Sequence, residues 1–130
     1  MDKTVSVFSG FSVSDMAKAK DFYVSTLGLE LADEQMGLRF KLPGGGTVFV
    51  YEKPDHQPAV FTILNFVVED IDTAVDELTS KGVTFERYPD MPGTQDDKGI
   101  MRSNDPGYGP SIAWFKDPAG NILSLIQADK

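Results

Sequence analysis

One segment of the chain is written twice. Phe40 to Glu52 reads FKLPGGGTVFVYE and Phe115 to Gln127 reads FKDPAGNILSLIQ, so that Phe40, Lys41, Pro43 and Gly45 match Phe115, Lys116, Pro118 and Gly120. Each copy predicts a short strand, a Pro/Gly turn and a second strand. A hairpin used twice points to a duplicated module, which leaves a narrow set of architectures open.

A second repeat lies upstream of the hairpins. Val5, Val7, Phe11 and Val13 alternate with Ser6, Phe8, Gly10 and Ser12, the period of two of a half-buried strand. Ser14 or Asp15 then offers an N-cap, and Met16, Ala19, Phe22, Tyr23 and Leu27 recur at helical spacing until Gly28. Strands are expected at about Leu29 to Ala32, Gln35 to Phe40 and Thr47 to Glu52. After the proline-bounded connector Pro54 to Pro58 the pattern restarts. Val60, Leu64, Phe66 and Val68 alternate with Phe61, Ile63, Asn65 and Val67, and Asp70 caps a helix carrying Ile71, Ala74, Val75 and Leu78 before Gly82. The register is specific: Val68 less Val13, Asp70 less Asp15 and Ala74 less Ala19 all give 55. Val83 to Arg87, Ser111 to Phe115 and Asn121 to Gln127 complete the predicted strands. The expectation is one domain, 1–130, of two modules, about 1–53 and 60–130, joined by a connector at 54–59.

The modules differ mainly by an insertion. Gly28 precedes Phe40 by 12 positions and Gly82 precedes Phe115 by 33, so the second module carries about 21 extra residues (33 less 12), near Tyr88 to Pro110. The stretch holds Asp90, Asp96, Asp97, Met101, Arg102 and Tyr108. Long irregular loops in compact domains are usually functional or mobile, so a lid over a ligand site and a solvated surface loop are the two expectations.

Composition narrows the function. With 130 residues, 41% of them hydrophobic, the chain has enough apolar side chains for a core of its own. It has no cysteine, which excludes a disulfide framework, a thiolate nucleophile and a Cys-ligated metal. No basic and then apolar leader opens it, and no apolar run reaches the roughly 18 residues of a membrane span, so a soluble, cytoplasmic protein is expected. The formal charge of -8 works against nucleic acid and anionic membrane surfaces while tolerating a cationic ligand. Acidity of this size is also what keeps many proteins soluble.

Taken together, FSVSDMAKAKDFYVSTLGLEL, the restart NFVVEDIDTAVDELTSKGV and the closing DPAGNILSLIQ resemble the vicinal oxygen chelate superfamily of glyoxalase I, bleomycin-resistance proteins and extradiol dioxygenases. The resemblance covers nearly the whole chain. It implies an α+β fold in which two βαβββ modules form curved mixed sheets around a cleft with the helices outside, commonly as a homodimer.

Enzymes of that group hold a divalent metal with His and Glu from the first and last strand of each module. The resemblance assigns those positions to Phe8, Ile63, Phe49 and Ser124. A divalent cation needs imidazole nitrogen or carboxylate oxygen, which Phe and Ile lack and a serine hydroxyl replaces poorly. No metal and no cofactor is therefore expected, and a glyoxalase or dioxygenase mechanism loses its Lewis acid and its base. The single histidine, His56, falls in the connector and reads as an exposed loop residue. No pattern places it beside a serine for a triad. Gly44-Gly45-Gly46 lacks a following Lys-Ser or Lys-Thr pair and opens a strand, so it is no phosphate loop. Asp96-Asp97 reads as solvated charge.

The inward faces are expected to carry Phe8, Phe49, Tyr51, Phe61, Ile63, Asn65, Ser124 and Ile126, joined by Trp114 because Phe115 repeats the core position of Phe40. Apolar and aromatic walls with sparse polar groups are the composition of a ligand site, and Trp114 is suited to stacking on a planar or cationic molecule. Side chains that merely fill the cleft would show the same composition. The leading expectation is a metal-free protein that binds a small aromatic or cationic molecule, more binder than enzyme. The alternatives are a lyase, isomerase or dioxygenase using other metal ligands, and an interaction domain with a filled cleft.

Overall fold

The computed structural model describes residues 1–91, 93–103 and 109–129. Its chain divides into two compact units, Met1–Pro58 and Ala59–Lys130. In the first, β1 (Ser9–Val13) leads into α1 (Met16–Lys20), which continues as a π-helical segment (Asp21–Thr26) before β2 (Glu30–Asp33), β3 (Leu38–Lys41) and β4 (Thr47–Glu52). The strands order as β1-β4-β3-β2, with β1 parallel to β4 and the other pairs antiparallel. In the second unit, β5 (Thr62–Val68), α2 (Ile71–Ser80), β6 (Ile112–Lys116) and β7 (Ile122–Gln127) follow in turn. They order as β5-β7-β6, with β5 parallel to β7. The result is the expected α+β arrangement of two mixed sheets.

The duplication holds at the level of single hydrogen bonds. Asp15 and Asp70, both with extended backbones, cap their helices: Lys18 N–H donates to Asp15, and the N–H groups of Asp72 and Thr73 donate to Asp70. The hairpin turns match as well. Leu42 N–H donates to the Gly46 carbonyl and Gly45 N–H to the Leu42 carbonyl, while Asp117 and Gly120, each 75 positions on (117 less 42, 120 less 45), repeat both bonds with Asn121 and Asp117. Here the copies also diverge. The first turn relies on three successive glycines at positive φ, whereas in the second the buried Asp117 carboxylate accepts from the N–H groups of Ala119 and Asn121 and from the Asn121 amide.

Each sheet buries one face against its helix. In the first unit Tyr23, fully buried, packs its ring 5.7 Å from both Phe11 and Phe40, over a layer that includes Leu38, Val48 and Val50. In the second, Ile71, Val75 and Leu78 of α2 are buried, as are Ala113, Phe115, Leu123 and Leu125 of the sheet. Burying each such large apolar side chain stabilises by about 1.5–3 kcal/mol. Gly37 is a point of close approach: a Cβ there would lie 2.6 Å from the Val50 carbonyl oxygen and 2.7 Å from Cζ of Phe49.

Three expected elements come out differently. β1 is shorter than the alternation from Val5 suggests, and Val5 and Val7 are exposed. The helix expected up to Leu27 changes from α to π at Asp21. The strand expected at Val83 to Arg87 contributes one bridge, Phe85 to Phe115, with Glu86 N–H donating to the Trp114 carbonyl at 2.8 Å. It ends there because the next backbone groups are taken by the loop: Gln95 donates to the Glu86 carbonyl at 2.9 Å and accepts from Tyr88 N–H at 2.7 Å.

That loop is braced from within. Asp96 accepts from the N–H groups of Lys98 and Ile100 and from Nε of Arg102, so it is an internal tie and not the solvated charge expected of it; Asp97 is exposed. Arg102 in turn donates through both Nη atoms to Asp72 on α2, at 2.8 and 2.7 Å, and Lys98 reaches Asp72 and Asp76. The Arg102 hydrogen bonds, with Lys98 adding, hold the Asp72 carboxyl well below the usual carboxylate range despite some desolvation. Tyr108, named with this loop, lies outside the described residues.

Two outcomes are expected. Gly37→Ala should destabilise by about 1–3 kcal/mol in urea denaturation, since the added methyl must displace backbone or the Phe49 ring; an unchanged midpoint would contradict that packing. Asp72 has a lowered folded pKa, so its contribution is complete above the usual aspartate value and is lost as pH falls below that value towards the depressed folded one. Arg102→Gln should therefore lower Tm at neutral pH, and the deficit should shrink as pH drops from about 5 towards 2. A deficit independent of pH would count against the ion pair.

Candidate functional site

The face of each sheet turned away from its helix is where the candidate residues gather. In the first unit the pairing Gly10 to Phe49 to Arg39 runs straight across β1, β4 and β3. Gly10 adds no side chain to this row, and the Arg39 guanidinium carbon lies over two rings, 5.3 Å from the Phe8 centroid and 5.6 Å from that of Phe49. Tyr51 extends the stack, 6.0 Å from Phe49 at an interplanar angle of 20°. Nε of Arg39 pairs with Asp33 at 3.2 Å. Together with Gln35, Met36 and Glu52 these side chains line an open cleft of about 510 Å³. Met36 stands there at a φ of 63°, a left-handed conformation that side chains rarely adopt.

In the second unit the corresponding row is Asn65 to Ser124 to Trp114. The Ser124 hydroxyl, fully buried, donates to Asn65 Oδ1 at 2.5 Å. Trp114, on the side opposite Phe115, meets the Tyr88 ring edge-on at 5.4 Å. Both line a cavity of about 350 Å³ with Val60, Phe61, Thr62, Met91 and Ile122. The Tyr88 hydroxyl is buried and has no hydrogen-bond partner among the described residues, and its desolvation raises the phenol pKa.

The expected site residues thus divide between the units. Phe8, Phe49 and Tyr51 come together in the first, and Phe61, Trp114, Asn65 and Ser124 lie on or beside one face of the second. Phe61 precedes β5 and is largely exposed. Ile63 sits at a bulge, since Thr62 pairs with Ile122 and Leu64 with Leu123, and neither it nor Ile126, paired with Ile112, lines the cavity. His56 is half-buried and hydrogen-bonded to the Ser12 hydroxyl at 2.6 Å, so it is a structural contact of the connector and not a free loop residue.

The side chains at the four metal-ligand positions do not fit a divalent cation. Phe8 and Phe49 present rings already holding a guanidinium cation, which would repel a second positive charge, and the Ser124 hydroxyl is engaged with Asn65. Among the described residues no group of three or more His, Asp or Glu converges on a point where a metal could sit.

Two site residues escaped the sequence reading. Arg39 occupies the place of Trp114 in the other copy (114 less 39 is the 75 that separates Phe40 from Phe115), so the repeat register could have singled it out. Tyr88 belongs to the inserted loop, has no counterpart, and is brought to Trp114 only by tertiary folding.

Comparison with known proteins agrees with this geometry. The family model described as the Glyoxalase/Bleomycin resistance protein/Dioxygenase superfamily matches residues 6–125. No curated protein matches the sequence. Among solved structures, TnmS3, an antibiotic binding protein from Streptomyces sp. CB03234, is 27% identical with a TM-score of 0.66, over 97% of this chain and 98% of its own. An integron cassette protein from the mobile metagenome of Halifax Harbour sewage outfall shares 20% identity at a TM-score of 0.69, over 96% of this chain and all of its own. The fosfomycin resistance protein FosX from Listeria monocytogenes shares the fold at 15% identity and a TM-score of 0.68, over 97% and 94% of the two chains. The duplicated modules, their capped helices and their parallel first and last strands have a single source: this chain belongs to the glyoxalase/bleomycin resistance protein/dioxygenase superfamily.

Proposed function

We propose that the protein binds a small aromatic molecule without a metal, holding it against the open face of a single sheet. The observation that carries this reading is the group Phe8, Arg39, Phe49 and Tyr51 along a cleft of about 510 Å³, in which Phe8 and Phe49 stand at positions where metal-dependent relatives would need ligands. Flat, partly exposed rings next to a few polar groups favour planar ligands, because stacking supplies contact area while the polar groups set orientation. The second unit offers a comparable surface in Phe61, Tyr88 and Trp114. TnmS3, an antibiotic binding protein with 27% identity over almost the full length of both chains, supports binding over catalysis.

We further propose a homodimer, supported by the exposed side chains of Val5, Val7, Val60 and Val67, which are costly to leave in water. Sedimentation at micromolar concentration checks it, and a monomer there would dismiss it. Among the described residues no helix is long and apolar enough to cross a membrane.

A thermal-shift series decides the main reading. Zinc, nickel, manganese and iron(II) are expected to leave Tm unchanged, while some members of a panel of aromatic molecules with two or three fused rings raise it. Ligands seated in the second unit should also alter the emission of Trp114, the chain's only tryptophan. A tight one-to-one metal complex lost on mutating residues of the open faces would reject the proposal, as would a panel with no stabilising member.

A further inference from the structure

We propose that the first unit's cleft selects planar aromatic ligands carrying a carboxylate or a similar oxyanion, and that Arg39 is the residue that recognises the charge. This rests on the binding function above and adds the chemical class of the ligand.

The argument turns on which parts of Arg39 are already used. Its guanidinium carbon lies 5.3 Å from the Phe8 ring centroid and 5.6 Å from that of Phe49, and its Nε is paired with Asp33. Nη1 and Nη2 have no partner among the described residues, yet the side chain lines the cleft and is about one-third exposed. What remains is the forked edge of a planar cation, a shape that matches the two oxygens of a carboxylate. The Asp33 ion pair and the two neighbouring rings also limit the freedom of a side chain that is otherwise costly to order, so less ordering is left for the moment a ligand arrives.

The neighbouring acids do not take this edge. Asp33 is spent on Nε, and Glu52 accepts the Met16 N–H at 2.9 Å, which holds its carboxylate at the start of α1. A cationic ligand stacked on Tyr51 and Phe49 would instead sit beside a guanidinium. The chain's overall charge of -8 does not reverse this, since charges farther than about 8 Å are largely screened at physiological ionic strength. The second unit serves as an internal contrast: its equivalent position is Trp114, which offers a surface but no charge. An oxyanion preference must therefore follow Arg39 and not the fold.

The test uses three ligands that share one bicyclic ring and differ in charge: 2-naphthoate, 2-naphthylmethanol and 2-naphthylmethylamine, each titrated into the full chain by calorimetry. The naphthoate should bind at least about 10-fold more tightly than the alcohol, with the amine weakest, as a charge-assisted forked contact requires. Added salt should weaken the naphthoate alone. Arg39→Met should bring the naphthoate down to the level of the alcohol, and Arg39→Lys should retain part of the preference, with folding of both checked by circular dichroism. Naphthoate binding no tighter than the alcohol in the unmodified protein, or a preference that survives Arg39→Met, overturns the proposal; the first comparison needs no variant to fold. The two readings fail separately. Equal binding of all three probes, lost in Tyr51→Ala, rejects only the charge selectivity, whereas absence of binding by any probe rejects the binding function together with it.

Discussion

The parallel ladder between the first and last strand of each unit is the constraint on which the rest depends. Backbone hydrogen bonds set Gly10 beside Phe49 and Phe11 beside Val50, and in the second unit Asn65 beside Ser124 and Phe66 beside Leu125. Because successive side chains alternate between faces, this one register determines which residues meet the helix and which stay on the open side. A slip of one residue would turn Phe49 and Tyr51 toward the helix and put Val48 and Val50 in the cleft. The cost of exposing those buried valines keeps the register single-valued, and thereby holds Arg39 against Phe49.

The two faces of each sheet consequently answer to different demands. On the helix side, Phe40 and Phe115 are equivalent and both fully buried, and each meets an aromatic partner, Tyr23 in one unit and Phe85 in the other. A packed interior leaves little room for other chemistry. On the open side the equivalent positions hold Arg39 and Trp114, or Phe49 and Ser124, with nothing in common but their place. One scaffold thus presents a cationic aromatic stack in one copy and an apolar aromatic cavity in the other. The second copy owes its cavity partly to the inserted loop, which Gln95, Asp96 and Arg102 fold back so that Tyr88 reaches Trp114.

Much of this was legible in the amino-acid order. Alternation at Val60 to Val68 and the capping position of Asp70 mark a strand and a helix because apolar periodicity and cap chemistry are local properties. The repeat offset carries the same statement to Val13 and Asp15, and the hairpin at Phe115 to Gln127 to its partner at Phe40. Spacing also aligned Phe8 with Ile63 and Phe49 with Ser124. The local signals misled where long-range contacts intervene: Val83 to Arg87 has strand composition, but Gln95 takes the backbone groups that would have extended the ladder.

By itself, then, the sequence determined the repeat, through its fixed offsets, and the two capped helices and most of the strands, which rest on spacing within a few positions. Only the tertiary structure decided the chemistry of the open faces. Arg39 comes to lie over the ring of Phe8, more than thirty positions away in sequence (39 less 8), and Asp96 becomes a brace because Arg102 joins it to α2. Such contacts depend on which side chains the packed strands and loops bring together, and no local pattern of hydrophobicity encodes that.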